Sequence, residues 1–171
     1  MFANNQIDVS SLPKVEHLEM HPIHRNYLYV LFINIFLVYG SIILGLVIIR
    51  TFSDDQSFNQ FALYAVCALT VISLFTSILY YLGFKKRKYA MREKDITYSH
   101  GYLVTKTITL PHNRIQHLEI ARSFLARKLG LSTLKIYSAG ESGGDIAIKG
   151  LPKDVAETQY AFLTKVINER L

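Results

Sequence analysis

Two uninterrupted apolar runs dominate the first half of the chain. Residues 27–49 hold no ionisable group other than tyrosine, and residues 61–84 are equally free of charge. Each run exceeds 20 residues, and at about 1.5 Å of rise per residue such a helix covers the roughly 30 Å hydrocarbon core of a bilayer. A helix in a soluble core rarely stays uncharged on every face for that length. The pattern predicts a membrane α-helical hairpin at residues 27–84, with transmembrane helices at 27–49 and 61–84.

Behind the hairpin the period shortens to two. Residues 89–93 and 96–99 read as strands joined by a turn at Lys94 and Asp95. His100 and Gly101 make the next corner, where glycine takes a positive φ freely. Residues 102–110 then alternate, with Val104, Ile108 and Leu110 on one side and Thr105, Thr107 and Thr109 on the other, as far as Pro111. Residues 114–121 place Leu118 and Ile120 on one face. Residues 123–128 are helical in character and stop at Gly130, a suitable C-terminal cap. Two more strands, 132–138 and 145–149, bury Leu134 with Ile136 and Ile146 with Ile148, around a glycine-rich hairpin tip at 139–144. Pro152 opens a last helix whose apolar stripe is Val155, Ala156, Tyr160, Leu163, Val166, Ile167 and Leu171.

Several antiparallel strands and one amphipathic helix make an α+β unit, with the helix covering a strongly bent sheet. The chain therefore divides into an N-terminal segment, residues 1–26, the hairpin, and a C-terminal domain at 85–171. Some 80 residues make a small core, so the last helix is expected to be essential to stability.

Charge orients this layout. The tetrad Lys85, Lys86, Arg87 and Lys88 closes the second run, and residues 85–94 carry six Lys or Arg against one acid. The loop at 51–60 holds Asp54 and Asp55 and no Lys or Arg. The positive-inside rule then puts both termini in the cytoplasm, with Arg50 as the one dissenting charge. The expected location is the bacterial cytoplasmic (inner) membrane, as a multi-pass protein. Residues 1–26 are polar and lack the short apolar segment of a cleavable signal peptide, so the first span is expected to remain as an anchor. Trp is absent, which leaves Tyr27, Tyr29, Tyr80 and Tyr81 to form the interfacial aromatic belt.

The formal charge of +6 raises nucleic acid as a partner, but its concentration beside a span fits a topology signal and non-specific attraction to anionic lipid. Within the hairpin, Asn34 needs a partner in hydrocarbon, and Thr76 or Ser77 is at matching depth. Ser41 with Gly45, and Ser73 with Ser77, are small pairs that permit close helix approach, either inside one hairpin or in a homo-oligomer.

Catalytic signals are missing. Cys67, the single cysteine, lies inside the second span and supports neither a disulfide nor a thiolate metal site. His17, His21 and His24, and likewise His112 and His117, match no recognised ligand pattern, so no metal and no cofactor are expected. His112 is expected on a turn and His117 on the solvent face of a strand. The glycine-rich stretch around Ser142 lacks the lysine of a phosphate loop.

Three short motifs carry a resemblance. Leu110-Pro111-His112-Asn113-Arg114-Ile115-Gln116-His117-Leu118 resembles the P-x-x-R-I-Q-x-hydrophobic signature of the bacterial membrane-flanked domain family, the bacterial pleckstrin-homology (PH)-like domains of the second type. Arg127-Lys128-Leu129-Gly130-Leu131 resembles that family's R-x-x-G-hydrophobic turn, and Ser138-Ala139-Gly140 its small-small-Gly strand end. The resemblance covers about residues 88–171, and the two preceding spans fit a YdbS-like layout; the absence of Trp departs from many relatives. It implies a PH-like curled antiparallel sheet or partly open barrel capped by a C-terminal helix, and it implies no catalytic activity.

Two functional expectations follow. One is a non-enzymatic membrane scaffold that docks a protein partner or another copy of itself at the cytoplasmic face. The other is a module that binds anionic lipid headgroups. Lys85, Lys86, Arg87, Lys88, Arg114, Arg122, Arg127 and Lys128 are the candidate contacts in either case. Arg114 has an alternative role, in which its planar guanidinium forks backbone carbonyls and braces the corner after Pro111.

Overall fold

The computed structural model describes residues 18–139 and 144–169. Two long helices come first, α1 (Tyr27–Phe52) and α2 (Gln56–Lys86), of 26 and 31 residues. Both are long and apolar enough to cross a membrane. They are joined by only Ser53, Asp54 and Asp55, because the polar residues at 56–60, expected in the loop, continue the helix. Asp55 caps α2 by accepting the Ser57 N–H at 2.9 Å, satisfying one of the free donors at a helix start.

Polar groups in the hairpin mostly turn back on their own helix. Asn34 donates to the Val30 carbonyl at 2.8 Å, Ser41 to Val38 at 3.0 Å and Ser77 to Ser73 at 2.8 Å. The link between the helices is Tyr39 Oη to Thr76 Oγ1 at 3.3 Å. The expected pairing of Asn34 with Thr76 or Ser77 is therefore replaced, since a carbonyl one turn back is already within an amide's reach. A Cβ added at Gly45 would meet nothing within 4 Å, so Gly45 faces outward instead of permitting close approach within the hairpin.

Two antiparallel sheets follow. The first has the order β1-β2-β3-β4, from β1 (His21–Pro22), β2 (Lys88–Met91), β3 (Asp95–His100) and β4 (Lys106–Pro111). The second is β5 (Ile115–Ala121), β6 (Leu131–Ser138) and β7 (Ile146–Pro152), with the short helix α3 (Phe124–Lys128) between β5 and β6. Helix α4 (Lys153–Asn168) packs on the second sheet. Ile96 pairs with Leu110 in the first sheet; Leu118 pairs with Ile136, and Leu134 with Ile148, in the second. These period-two residues, with Leu131, Leu151, Ala156 and Leu163, fill one core.

The alternation in residues 102–110 overstates β4. The strand begins at Lys106, and Val104 is exposed instead of sharing the face of Leu110. Gly101 has φ +100° and a side chain there would strike the Val104 carbonyl, so the chain turns back at once and residues 102–104 form a loop. Gly130, at φ +69°, ends α3 as expected. Pro152 caps α4 and is the last residue of β7, and the helix starts at Lys153. Val155 is exposed rather than in the stripe, and Leu171 and most of the 139–144 tip lie outside the described residues.

The base of the hairpin is part of the domain core. Ile23, Tyr27, Val30 and Leu31 are buried in the same cluster as the sheet residues. β1, within the segment set apart as residues 1–26, pairs with β2 through His21–Tyr89 and Pro22–Lys88. His24 then donates its N–H to the Gly150 carbonyl at 2.9 Å, joining the chain before α1 to β7. Gly150 sits at φ +81°, and an added Cβ would lie 2.6 Å from the Tyr27 side chain. Only glycine meets both conditions.

Candidate functional site

The basic tetrad straddles the exit from α2, and its members separate. Lys85, Lys86 and Lys88 are exposed, with the Lys85 ammonium 4.6 Å from the centre of the Tyr81 ring. Arg87 turns inward. Its guanidinium stands 5.4 Å from the Tyr27 ring centre, and its Nε is buried with no hydrogen-bond acceptor among the described residues.

Arg87 thereby lines a cavity of about 260 Å³ with Tyr98, His100, Ile108, Asp145 and Lys149. The first sheet supplies Tyr98, His100 and Ile108, and the second supplies Lys149. The Nδ1 of His100 is 3.3 Å from the Lys106 carbonyl, and its ring lies 5.1 Å from that of Tyr98. Burial first, then the Arg87 and Lys106 charges, holds the His100 imidazole below its ordinary range. Burial raises the Tyr98 phenol, against the pull of Arg87. Asp145, the one acid of the lining, is engaged by the Ser138 N–H at 2.9 Å. The lining thus combines the Arg87 and Lys149 cations, the His100 and Tyr98 side chains and the Asp145 carboxylate.

The other candidate residues are dispersed. Arg122 is held by Glu157 at 2.6 Å. Arg127 and Lys128 are exposed on α3, each 6.0 Å from the Phe124 ring centre. Arg114 is exposed on a 3₁₀ turn, His112–Arg114, and among the described residues its side chain makes no hydrogen bond or ion pair. Among the described residues no carbonyl is forked by its guanidinium, and the bonds seen at this corner are backbone ones: the Arg114 carbonyl accepts from Ala139 at 2.9 Å, and the His112 N–H donates to the Lys94 carbonyl at 2.9 Å.

His112 is on the turn, as expected; it is also 0% exposed, with its ring edge-on to Phe162 at 5.9 Å. His117 is on the solvent face and stacks on Tyr137 at 5.7 Å. Beside it, Glu119 binds Lys135 at 3.0 Å and Tyr137 at 2.9 Å, and those two hydrogen bonds hold its carboxyl below the usual range. Before α1, His21 faces the Tyr89 ring and His24 accepts from the Asn26 N–H, so these two serve local structure; His17 lies outside the described residues.

Sequence reasoning missed the cavity because its walls come from the exit of α2, from β3 and β4, and from β7 with the residue before it, separate stretches of the chain. It also missed Tyr27 and Gly150. The available signal was a glycine late in an apolar strand, which often marks a close backbone approach.

Two antiparallel sheets and a C-terminal helix are consistent with a PH-like fold, and PH-like domains are typically non-catalytic binding modules. The family model of the bacterial PH domain matches residues 28–169, and the chain belongs to that family. The match takes in all but the first residue of the two long helices and every strand except β1. Comparison with curated proteins and with solved structures gave no match.

Proposed function

We propose that this chain is a non-enzymatic, multi-pass protein of the bacterial cytoplasmic membrane. Its two helices span the bilayer, both termini are cytoplasmic, and its PH-like domain docks a protein partner or a second copy at the membrane surface. The observation that carries this reading is the shared core, in which Tyr27, Val30 and Leu31 of α1 pack among the strand residues. A tether would leave the domain free to tumble. A helix rooted in the core fixes which face the domain presents and at what height, which is what a scaffold needs. Photo-crosslinkers at Arg114 and Arg127, activated in native membranes and read by mass spectrometry, test it. Adducts to a recurring protein or to the chain itself are expected, and adducts to lipid alone would sink the scaffold reading.

A second reading has its own support in the cavity around Arg87. A guanidinium, an ammonium and an imidazole facing one small space, against the single carboxylate of Asp145, suit a lipid phosphate. In nanodiscs of mixed neutral and anionic lipid, the full chain should then retain anionic lipid on extraction. Arg87→Gln with Lys149→Gln should abolish the retention. Attraction that is only electrostatic, without a site, would instead track net lipid charge and fade with salt.

A further inference from the structure

The loop between β3 and β4 breaks the usual rule for a hairpin tip, where small and polar residues dominate. Residues 102–104 are Tyr, Leu and Val, and the segment 101–105 holds no charge. Leu103 and Val104 are each 81% exposed. They are held out by construction, since Gly101 at φ +100° leaves room for the Val104 carbonyl and for nothing larger than hydrogen.

The position of this tip identifies what covers it. Tyr102 lies against α2, where a Cβ on Gly83 would come within 3.9 Å of the Tyr102 Cβ. Leu79, Tyr80, Gly83, Tyr102 and Leu103 line one shallow groove together with Arg87, its one charged residue. Leu79 and Tyr80 belong to the apolar run, and Lys85 and Lys86 follow within one turn or two. Tyrosines followed by lysines mark the level where hydrocarbon gives way to headgroups. The exposed apolar surface of the loop is continuous with the apolar surface of α2 at that level. At the same end of the domain, beside α1, the exposed Phe124 on α3 stands among Arg127 and Lys128, a pairing also suited to an interface.

We infer that the β3–β4 loop is a membrane wedge, with Leu103 and Val104 inserted into the cytoplasmic leaflet beside α2. The inference rests on the reading of α1 and α2 as spans and adds a third point of contact. That contact would add to the hold that Tyr27, Val30 and Leu31 already give the domain at the base of the hairpin.

The absence of native Trp supplies the test. Three full-chain single-tryptophan variants, Leu103→Trp, Phe75→Trp in mid-α2 and Phe162→Trp near the buried His112, are placed in bilayers with or without brominated acyl chains. Leu103→Trp should emit at short wavelength, lose intensity in brominated bilayers and resist iodide. Phe162→Trp should be indifferent to bromine. Quenching of Leu103→Trp by iodide and not by bromine, while Phe75→Trp is quenched by bromine, would overturn the wedge and leave the spans intact. Protection of Leu103→Trp from both quenchers that disappears on dilution would assign the loop to a second copy and also overturn it. An unquenched Phe75→Trp would remove the spans themselves, and the wedge with them.

Discussion

In the hairpin, Phe36 and Phe75 turn outward and stand largely exposed, whereas in the domain Leu134, Ile148 and Leu163 are fully buried. Both regions are rich in the same residue types, and they arrange them in opposite senses. Polar groups follow suit: in the hairpin they bond to their own helix backbone, and in the domain charges such as Glu119 and Lys135 meet on the outer face of a sheet. On the proposed topology burial follows the surrounding solvent, since an exposed apolar surface of the hairpin's extent marks a membrane or protein contact. Tyr27, Val30 and Leu31 mark the change from one regime to the other within about one turn of α1. A fragment cut at residue 85 would lose those side chains and β1 from its core, so mutational tests belong on the full chain in detergent or nanodiscs.

The sharpest break in the comparison comes from two glycines. Gly150→Ala adds a methyl group 2.6 Å from Tyr27 and forces an L-residue to φ +81°. Overpacking and backbone strain each cost about 1–3 kcal/mol, so thermal unfolding should show a loss of at least about 2 kcal/mol. Gly45→Ala, which meets open space, should be neutral or stabilising, by up to about 1 kcal/mol from helix propensity. Equal effects at the two glycines would mean that the α1 base does not pack on β7.

A pair of apolar truncations asks the same question of side chains. Leu163→Ala removes a fully buried side chain under α4 and should cost about 2–5 kcal/mol by denaturant titration. Phe75→Ala, at a residue 61% exposed in the hairpin, should stay within about 0.5 kcal/mol.

These contrasts also show how far the sequence could be read. The alternation Leu134–Ile136 and Ile146–Ile148, the turn at Gly130 and the helix carrying Ala156 and Leu163 were legible because each signal is local. The β3–β4 loop was misread because Val104 continues a period-two pattern by coincidence, and the positive φ at Gly101 overrides it. The strand His21–Pro22 could not be found locally, since two residues carry no period and their partner lies over 60 positions away. Arg114 was singled out within a motif, and the structure spends that motif on buried His112 and Ile115 while leaving the guanidinium exposed.

Acidification probes the cavity that joins the two sheets. The folded pKa of His100 is lowered, by burial first and then by Arg87 and Lys106, so the unfolded chain takes up that proton first as pH falls. The contribution is fully present above the ordinary histidine value of about 6.5 and is lost progressively below it, toward the folded pKa. Stability measured from about pH 7.5 to 5 should therefore decline, and His100→Gln should flatten this slope. An unchanged slope in His100→Gln would assign it to another group. The smallest effect is expected at Arg114→Ala, within about 0.5 kcal/mol, because an exposed side chain with no polar partner among the described residues takes little with it. A loss of about 1–3 kcal/mol there would restore the guanidinium brace.

The placement of the domain is tested most directly by cysteine accessibility in intact cells. With Cys67 replaced by serine, an impermeant maleimide should label Ser57→Cys, at the exposed start of α2, without lysis. Glu93→Cys, in the exposed β2–β3 turn, should react only after lysis. Labelling of Glu93→Cys in intact cells together with protection of Ser57→Cys would contradict a PH-like domain held at the cytoplasmic face by two spans.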